Sequence, residues 1–108
     1  MSYKVLGQSA PAATTATDVY TVPAGKSAVV STVTICNTGG TALTYRVSVR
    51  IAGAAATAAQ YVAYEASLPA YSTDLMTIGI TLAATDVITV QSSLATASFN
   101  VFGSEQSQ

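Results

Sequence analysis

Nucleophilic and general-base chemistry near neutral pH usually rests on a histidine, and this sequence contains none. Its one thiol, Cys36, therefore has no imidazole beside it to draw off the proton, and a single cysteine cannot close an internal disulfide. Cys36 reads as a small filler at a strand end. The carboxylates Asp18, Glu65, Asp74, Asp86 and Glu105 are scattered singly. Asp18, Asp74 and Asp86 each open a strand after a turn, where an aspartate accepts backbone N–H bonds. A pair such as Glu65 and Asp74, set across neighbouring strands, would carry the groups for acid/base work on a glycoside, but no tryptophan platform accompanies it. The spacing of a DxDxDG-type cation loop is missing, and so is a glycine-rich phosphate loop. The residues point to no catalytic group, no cofactor site and no metal site; the expectation is a protein that is not an enzyme.

What remains is contact chemistry. Arg46 and Arg50 share the outer face of one strand with Ser48 between them, about 13 to 14 Å apart by the strand rise, and hold half of the positive charge. They are candidates to engage a partner's carboxylates in bidentate fashion, or to pair with Glu65 and Asp74 in the same sheet. Of the six tyrosines, Tyr45 falls on a core face, Tyr61 and Tyr64 fall on opposite faces of one strand, and Tyr71 falls in a loop. Tyrosine brings much contact area at little entropy cost, so Tyr61, Tyr64 and Tyr71 join the two arginines as partner-contact candidates. Ordinary strand packing with the hydroxyl at the rim is the alternative for each.

The elements that must position these groups are extended. Val29, Ser31, Val33 and Ile35 alternate with Val30, Thr32, Thr34 and Cys36, and Leu43, Tyr45, Val47, Val49 and Ile51 alternate with Thr44, Arg46, Ser48 and Arg50. With Asn37-Thr38-Gly39-Gly40 between them, the two runs read as a half-buried antiparallel hairpin. Further strands are expected over residues 2–7, 18–22, after the alanine-rich stretch 52–59, over 74–82, over 87–91 and at Ala97, Phe99 and Val101. Gly79, on the side opposite Met76, Ile78, Ile80 and Leu82, suggests a close backbone approach or a bulge. Residues 1–17 read as a strand followed by a loop arm, Gln8 to Thr17, that orders on assembly, and residues 103–108 as a polar tail. About eight short strands separated by turns imply an all-β, two-sheet antiparallel sandwich, jelly-roll or immunoglobulin-like in connectivity. The expected core is Val33, Ile35, Val47, Val49, Ile78, Ile80, Ile88, Val90, Phe99 and Val101.

A chain of 108 residues makes one domain, large enough to fold without metal or disulfide. Only 8% of its residues are charged, against about 25% in an ordinary soluble domain, while Ala, Ser and Thr make up nearly half. With so little charge to keep copies apart, much of this surface is expected to sit against other copies or other proteins; the alternative is a monomer with a hydroxyl-rich skin. Four dispersed basic residues and a net charge of −1 argue against nucleic acid. No apolar run approaches 18 residues, and the start, MSYKVLGQ, lacks a secretory pattern, so neither membrane insertion nor general secretion is expected.

The string YKVLGQSAPAATTATDVYTVPAGKSAVVSTVTICNTGG, continued by RVSVRIAGAA, LAATDVITV and SFNVFGSE, resembles a group of small tailed-bacteriophage virion proteins over nearly the whole chain. The resemblance implies a non-enzymatic β-sandwich present in many copies, made in the host bacterial cytoplasm and resident in the virion. It implies contacts with other capsid or tail proteins, as surface cement or decoration or as a tail, baseplate or fibre component, and threefold homo-oligomers are common in the group. The group carries no catalytic residues to transfer. An adhesion module that binds a host surface sugar or protein through Tyr61, Tyr64 and Tyr71 is the alternative task.

Overall fold

The computed structural model describes residues 3–55, 57–77 and 79–107. Nine strands account for most of the described residues: β1 (Tyr3–Ser9), β2 (Thr17–Thr21), β3 (Lys26–Asn37), β4 (Leu43–Arg50), β5 (Tyr61–Leu68), β6 (Thr73–Met76), β7 (Ile80–Leu82), β8 (Val87–Ser92) and β9 (Ala97–Ser107). Single 3-10 turns at Ile51–Gly53 and Ala58–Gln60 bridge β4 to β5, so the alanine-rich stretch feeds a strand as its flanking β-formers predict. No helix among the described residues is long and apolar enough to cross a membrane.

The strands form two antiparallel sheets. One has the order β1-β9-β3, with β6 and β7 both along the far side of β3; the other has the order β2-β8-β4-β5. Among the described residues only β4 and β5 are paired neighbours in sequence, and apart from the step from β6 to β7 the chain otherwise crosses between sheets. That alternation is the double Greek key of a jelly roll, which decides the connectivity that residue patterns leave open.

The expected hairpin of residues 29–50 is therefore not formed. β3 belongs to the first sheet and β4 to the second, and they bury their apolar sides towards each other across the core. Asn37 organises the crossing. It is 1% exposed; its Nδ2 donates to the Thr41 and Pro69 carbonyls at 2.8 and 3.2 Å, and its Oδ1 accepts from the Gly39 N–H and the Thr96 hydroxyl, both at 3.0 Å. A buried amide with every polar atom engaged fixes a crossover that would otherwise strand backbone groups in the core.

Strict alternation also fails inside β3. A register shift between Val30 and Thr32 puts Ala28 and Val30 on the same buried side as Val33 and Ile35, and turns Val29 outward. Opposite this bulge the expected strand 74–82 is interrupted: β6 pairs with Val33 to Cys36 and β7 with Ala28 to Val30. Gly79 sits in the break at φ +44 with nothing within 4 Å of where a Cβ would be. It is there for its backbone conformation and not for a close approach. Irregularity marks every outermost strand: β1 shifts between Val5 and Gly7, β2 between Asp18 and Tyr20, β5 twice, and β6 and β7 are separate pieces.

Val33, Ile35, Val47, Ile88, Val90, Phe99 and Val101 are buried, joined by Val22, Leu43, Leu68 and Leu82. Val49 and Ile80 are half-buried at the margin of that cluster, and Ile78 lies outside the described residues. Tyr45 packs edge-on to Phe99 with ring centroids 6.4 Å apart. The described residues near both ends are held in place. Residues 103–107 continue β9 alongside Lys26 to Val30 and are no loose tail. The arm is tied down as the crossing from β1 to β2, with Pro11 buried and the Thr14 N–H donating to the Ser92 carbonyl at 2.7 Å.

Candidate functional site

Because paired residues share a face, the registers define each outer surface. Across the first sheet the outward rows are Tyr3, Ser104, Val29 and Thr81; Val5, Phe102 and Thr32; Gln8, Asn100, Thr34 and Leu75; and Ser98, Cys36 and Thr73. None of these side chains is charged. Tyr3, Leu75 and Val5 are exposed on it, at 75, 67 and 47%.

The charges lie elsewhere. Inside the sandwich rim, Tyr20 of the second sheet donates its hydroxyl to Glu105 of the first at 2.6 Å, and Lys4 pairs with the same carboxylate at 3.0 Å. Burial, then the Glu105 hydrogen bond and charge, push the Tyr20 hydroxyl well above the ordinary phenol range. The bonds from Tyr20 and Lys4 hold Glu105 below the usual carboxylate value. Tyr45 makes the matching link, donating to Asp74 at 2.8 Å, and burial followed by Asp74 pushes it up to about 12. Two tyrosine hydroxyls thus tie sheet to sheet. Asp86 accepts the Ala52 and Ala83 N–H groups, each at 2.9 Å, as a turn aspartate should.

The outer face of the second sheet carries the candidates named from sequence. Arg50 makes four bonds within the chain: Nε donates to the Thr89 hydroxyl, Nη1 to the Gly53 and Ala54 carbonyls, and Nη2 to Asp18 at 2.9 Å. Its carboxylate partner is Asp18, since Asp74 lies in the other sheet and cannot reach it. For the same reason Glu65 and Asp74 do not face each other as an acid/base pair. Arg46 does pair with Glu65, through Nε. Ser48, between the arginines, is only 6% exposed.

Tyr61 and Tyr64 come together, contrary to the alternation that puts them on opposite faces. Tyr45 pairs with Ala66, Val47 with Ala63 and Ser48 with Tyr61, so β5 holds extra residues on both sides of Ala63. The two shifts leave Tyr61, Tyr64 and Glu65 on one outer face. The tyrosine rings meet edge-on at 4.8 Å, and the Arg46 guanidinium lies over Tyr64 at 4.5 Å from its centroid. Glu65 also accepts the Thr44 hydroxyl at 2.9 Å. The bond from Arg46, then that from Thr44, lowers the Glu65 carboxyl, and Glu65 in turn raises Arg46. Tyr71 is not part of this group; it is 77% exposed in the turn before β6, its N–H donating to the Gly39 carbonyl at 3.1 Å.

Among the described residues no three His, Cys, Asp or Glu side chains gather closely enough to share a metal ion. No protein family, curated protein or solved structure matches the chain. The uncharged face of the first sheet is the feature that pairwise inspection of motifs passes over. Its signal in the sequence is an absence, visible only once the bulges have set which residues point outward.

Proposed function

We propose that the chain is a non-enzymatic structural component of a bacteriophage virion, an accessory β-sandwich that decorates or cements the particle through protein–protein contact. The observation that carries this reading is the uncharged outer face of the first sheet. Covering a surface strands any charge on it that finds no partner, whereas rings are covered favourably and each hydroxyl or amide needs only one new hydrogen bond to offset its desolvation. The long dimensions of the molecule, 43 and 29 Å, give that face room for the about 800 Å² that each side of a standard interface contributes. Jelly rolls are a common capsid architecture, which supports the reading by analogy alone. Partners are other capsid or tail proteins and further copies of the chain, with a trimer as the state the sequence resemblance implies. Since both arginines already have partners within the chain, the docking role passes from Arg46 and Arg50 to the uncharged face.

An electron-microscopy map of purified particles tests it. Many copies on the particle with the first sheet turned inward are expected. A handful at the tail tip would replace decoration by adhesion, and absence from the particle would end the reading.

A further inference from the structure

We propose that the depression beside Tyr61 and Tyr64 is a binding site for a neutral saccharide. Its volume is about 370 Å³, and Thr57, Ala58, Tyr61 and Tyr64 line it. That volume lies within the range of small-ligand pockets and accommodates one or two hexose rings. It is independent of the particle-docking face, since it lies on the other sheet.

Three observations lead here. The first is strain. Glu65 stands in mid-strand at φ +52, a conformation costly for a residue with a Cβ. It accompanies the shifts that put Tyr61, Tyr64 and Glu65 on one side, and bulges commonly re-aim side chains in this way. The second is support. Thr44 holds Glu65, Glu65 holds Arg46, Arg46 lies on Tyr64, and Tyr64 meets Tyr61. Exposed side chains are usually free to move; these are arranged before any ligand arrives, which lowers the ordering cost of binding. The third is chemistry. A pyranose has a flat C–H face that lies on a phenol ring and a rim of hydroxyls that both donate and accept. Tyr61 and Tyr64 offer ring surface with Thr57 beside it, and the Arg46–Glu65 pair lies outside the lining with its guanidinium against one face of Tyr64. That pair has no net charge, so nothing in the site favours an anionic sugar over a neutral one. The site is concave and lined by two tyrosines and a threonine that carry hydroxyls, which suits a small polyhydroxylated ring better than the apolar centre of a protein interface.

Nuclear magnetic resonance titration of the full chain with the methyl glycosides of glucose, galactose, mannose and N-acetylglucosamine tests the site. Saturable shifts of the Tyr61 and Tyr64 ring signals are expected with at least one of them. Tyr64→Ala should weaken that binding by about tenfold or more, and Tyr71→Ala should leave it unchanged. Arg46→Met should weaken binding while the melting temperature holds, because it removes the support and not the ring. No shift with any glycoside at about 0.1 M would overturn the proposal, as would binding of methyl glucuronide alone or binding that survives Tyr64→Ala. Loss of particle incorporation in Tyr64→Ala without any saccharide binding would make the patch a protein contact instead and overturn it too.

Discussion

The two outer faces of this sandwich differ most clearly in charge. Among the described residues the face of the first sheet carries no charged side chain, while that of the second holds Arg46 with Glu65 and Arg50 with Asp18. Scarcity of charge in a sequence is thus not spread evenly over its surface. The second sheet matches its few ions to one another, so its aromatic groups sit in a locally neutral, ordered setting. The first sheet keeps only side chains that can be covered without stranding a charge. Composition alone cannot separate these designs; placement does.

The largest expected effect comes from giving the first face what it lacks. Val5→Glu with Leu75→Glu should abolish self-association and particle incorporation, since unmatched like charge at a docking surface costs several kcal/mol, while the melting temperature changes little. Unchanged sedimentation and full copy number would erase the distinction between the faces. Next is the link that sets the sheets against each other. Tyr45→Phe leaves Asp74 without its donor and should lower stability by about 1–3 kcal/mol in denaturant unfolding. Arg50→Met should follow at about 1–2 kcal/mol, because it frees two backbone carbonyls as well as Asp18. Arg46→Met and Glu65→Gln should leave the melting temperature close to wild type, since that pair is exposed. A drop as large as that of Arg50→Met would mean that the aromatic patch is part of what holds the fold.

The inter-sheet links also set the pH behaviour. A tyrosine whose hydroxyl is harder to ionise in the folded chain stabilises it while the unfolded phenol is neutral, and that contribution is lost as pH rises from about 10 through about 12. The lowered Glu105 works in the other direction. Its contribution is full above the ordinary carboxylate value and fades as pH falls through and below it. Thermal melts across both ranges check this, and Tyr45→Phe should flatten part of the alkaline loss.

Much of the core is legible in the sequence because burial on one side imposes a period of two: Val33, Ile35, Val47, Ile88, Val90, Phe99 and Val101 lie where alternation puts them. Alternation tells which side of a strand is covered, not by what. β3 and β4 show the pattern of paired neighbours and instead face each other across the core, because a strand buries the same residues against either kind of partner. Bulges are the second blind spot. One extra residue between Val30 and Thr32, and two more in β5, leave composition untouched and reverse the facing of everything beyond them. That is why Tyr61 and Tyr64 read as opposed and prove adjacent. Of the ion pairs, Arg46 with Glu65 was readable from neighbouring strands, whereas Arg50 with Asp18 joins positions 32 residues apart through β8 and needs the fold.

A protein this poor in charge faces a hazard that its sheets answer at their borders. A straight outermost strand offers unpaired N–H and C=O groups on which another chain can add, and such addition has no natural end: it grows fibres. Here β1, β2 and β5 are kinked by register shifts, and the border along β3 is split into the short pieces β6 and β7 with Gly79 in the gap. Borders broken in this way give an added strand no straight template, so the open-ended growth that unbroken borders invite has nowhere to start.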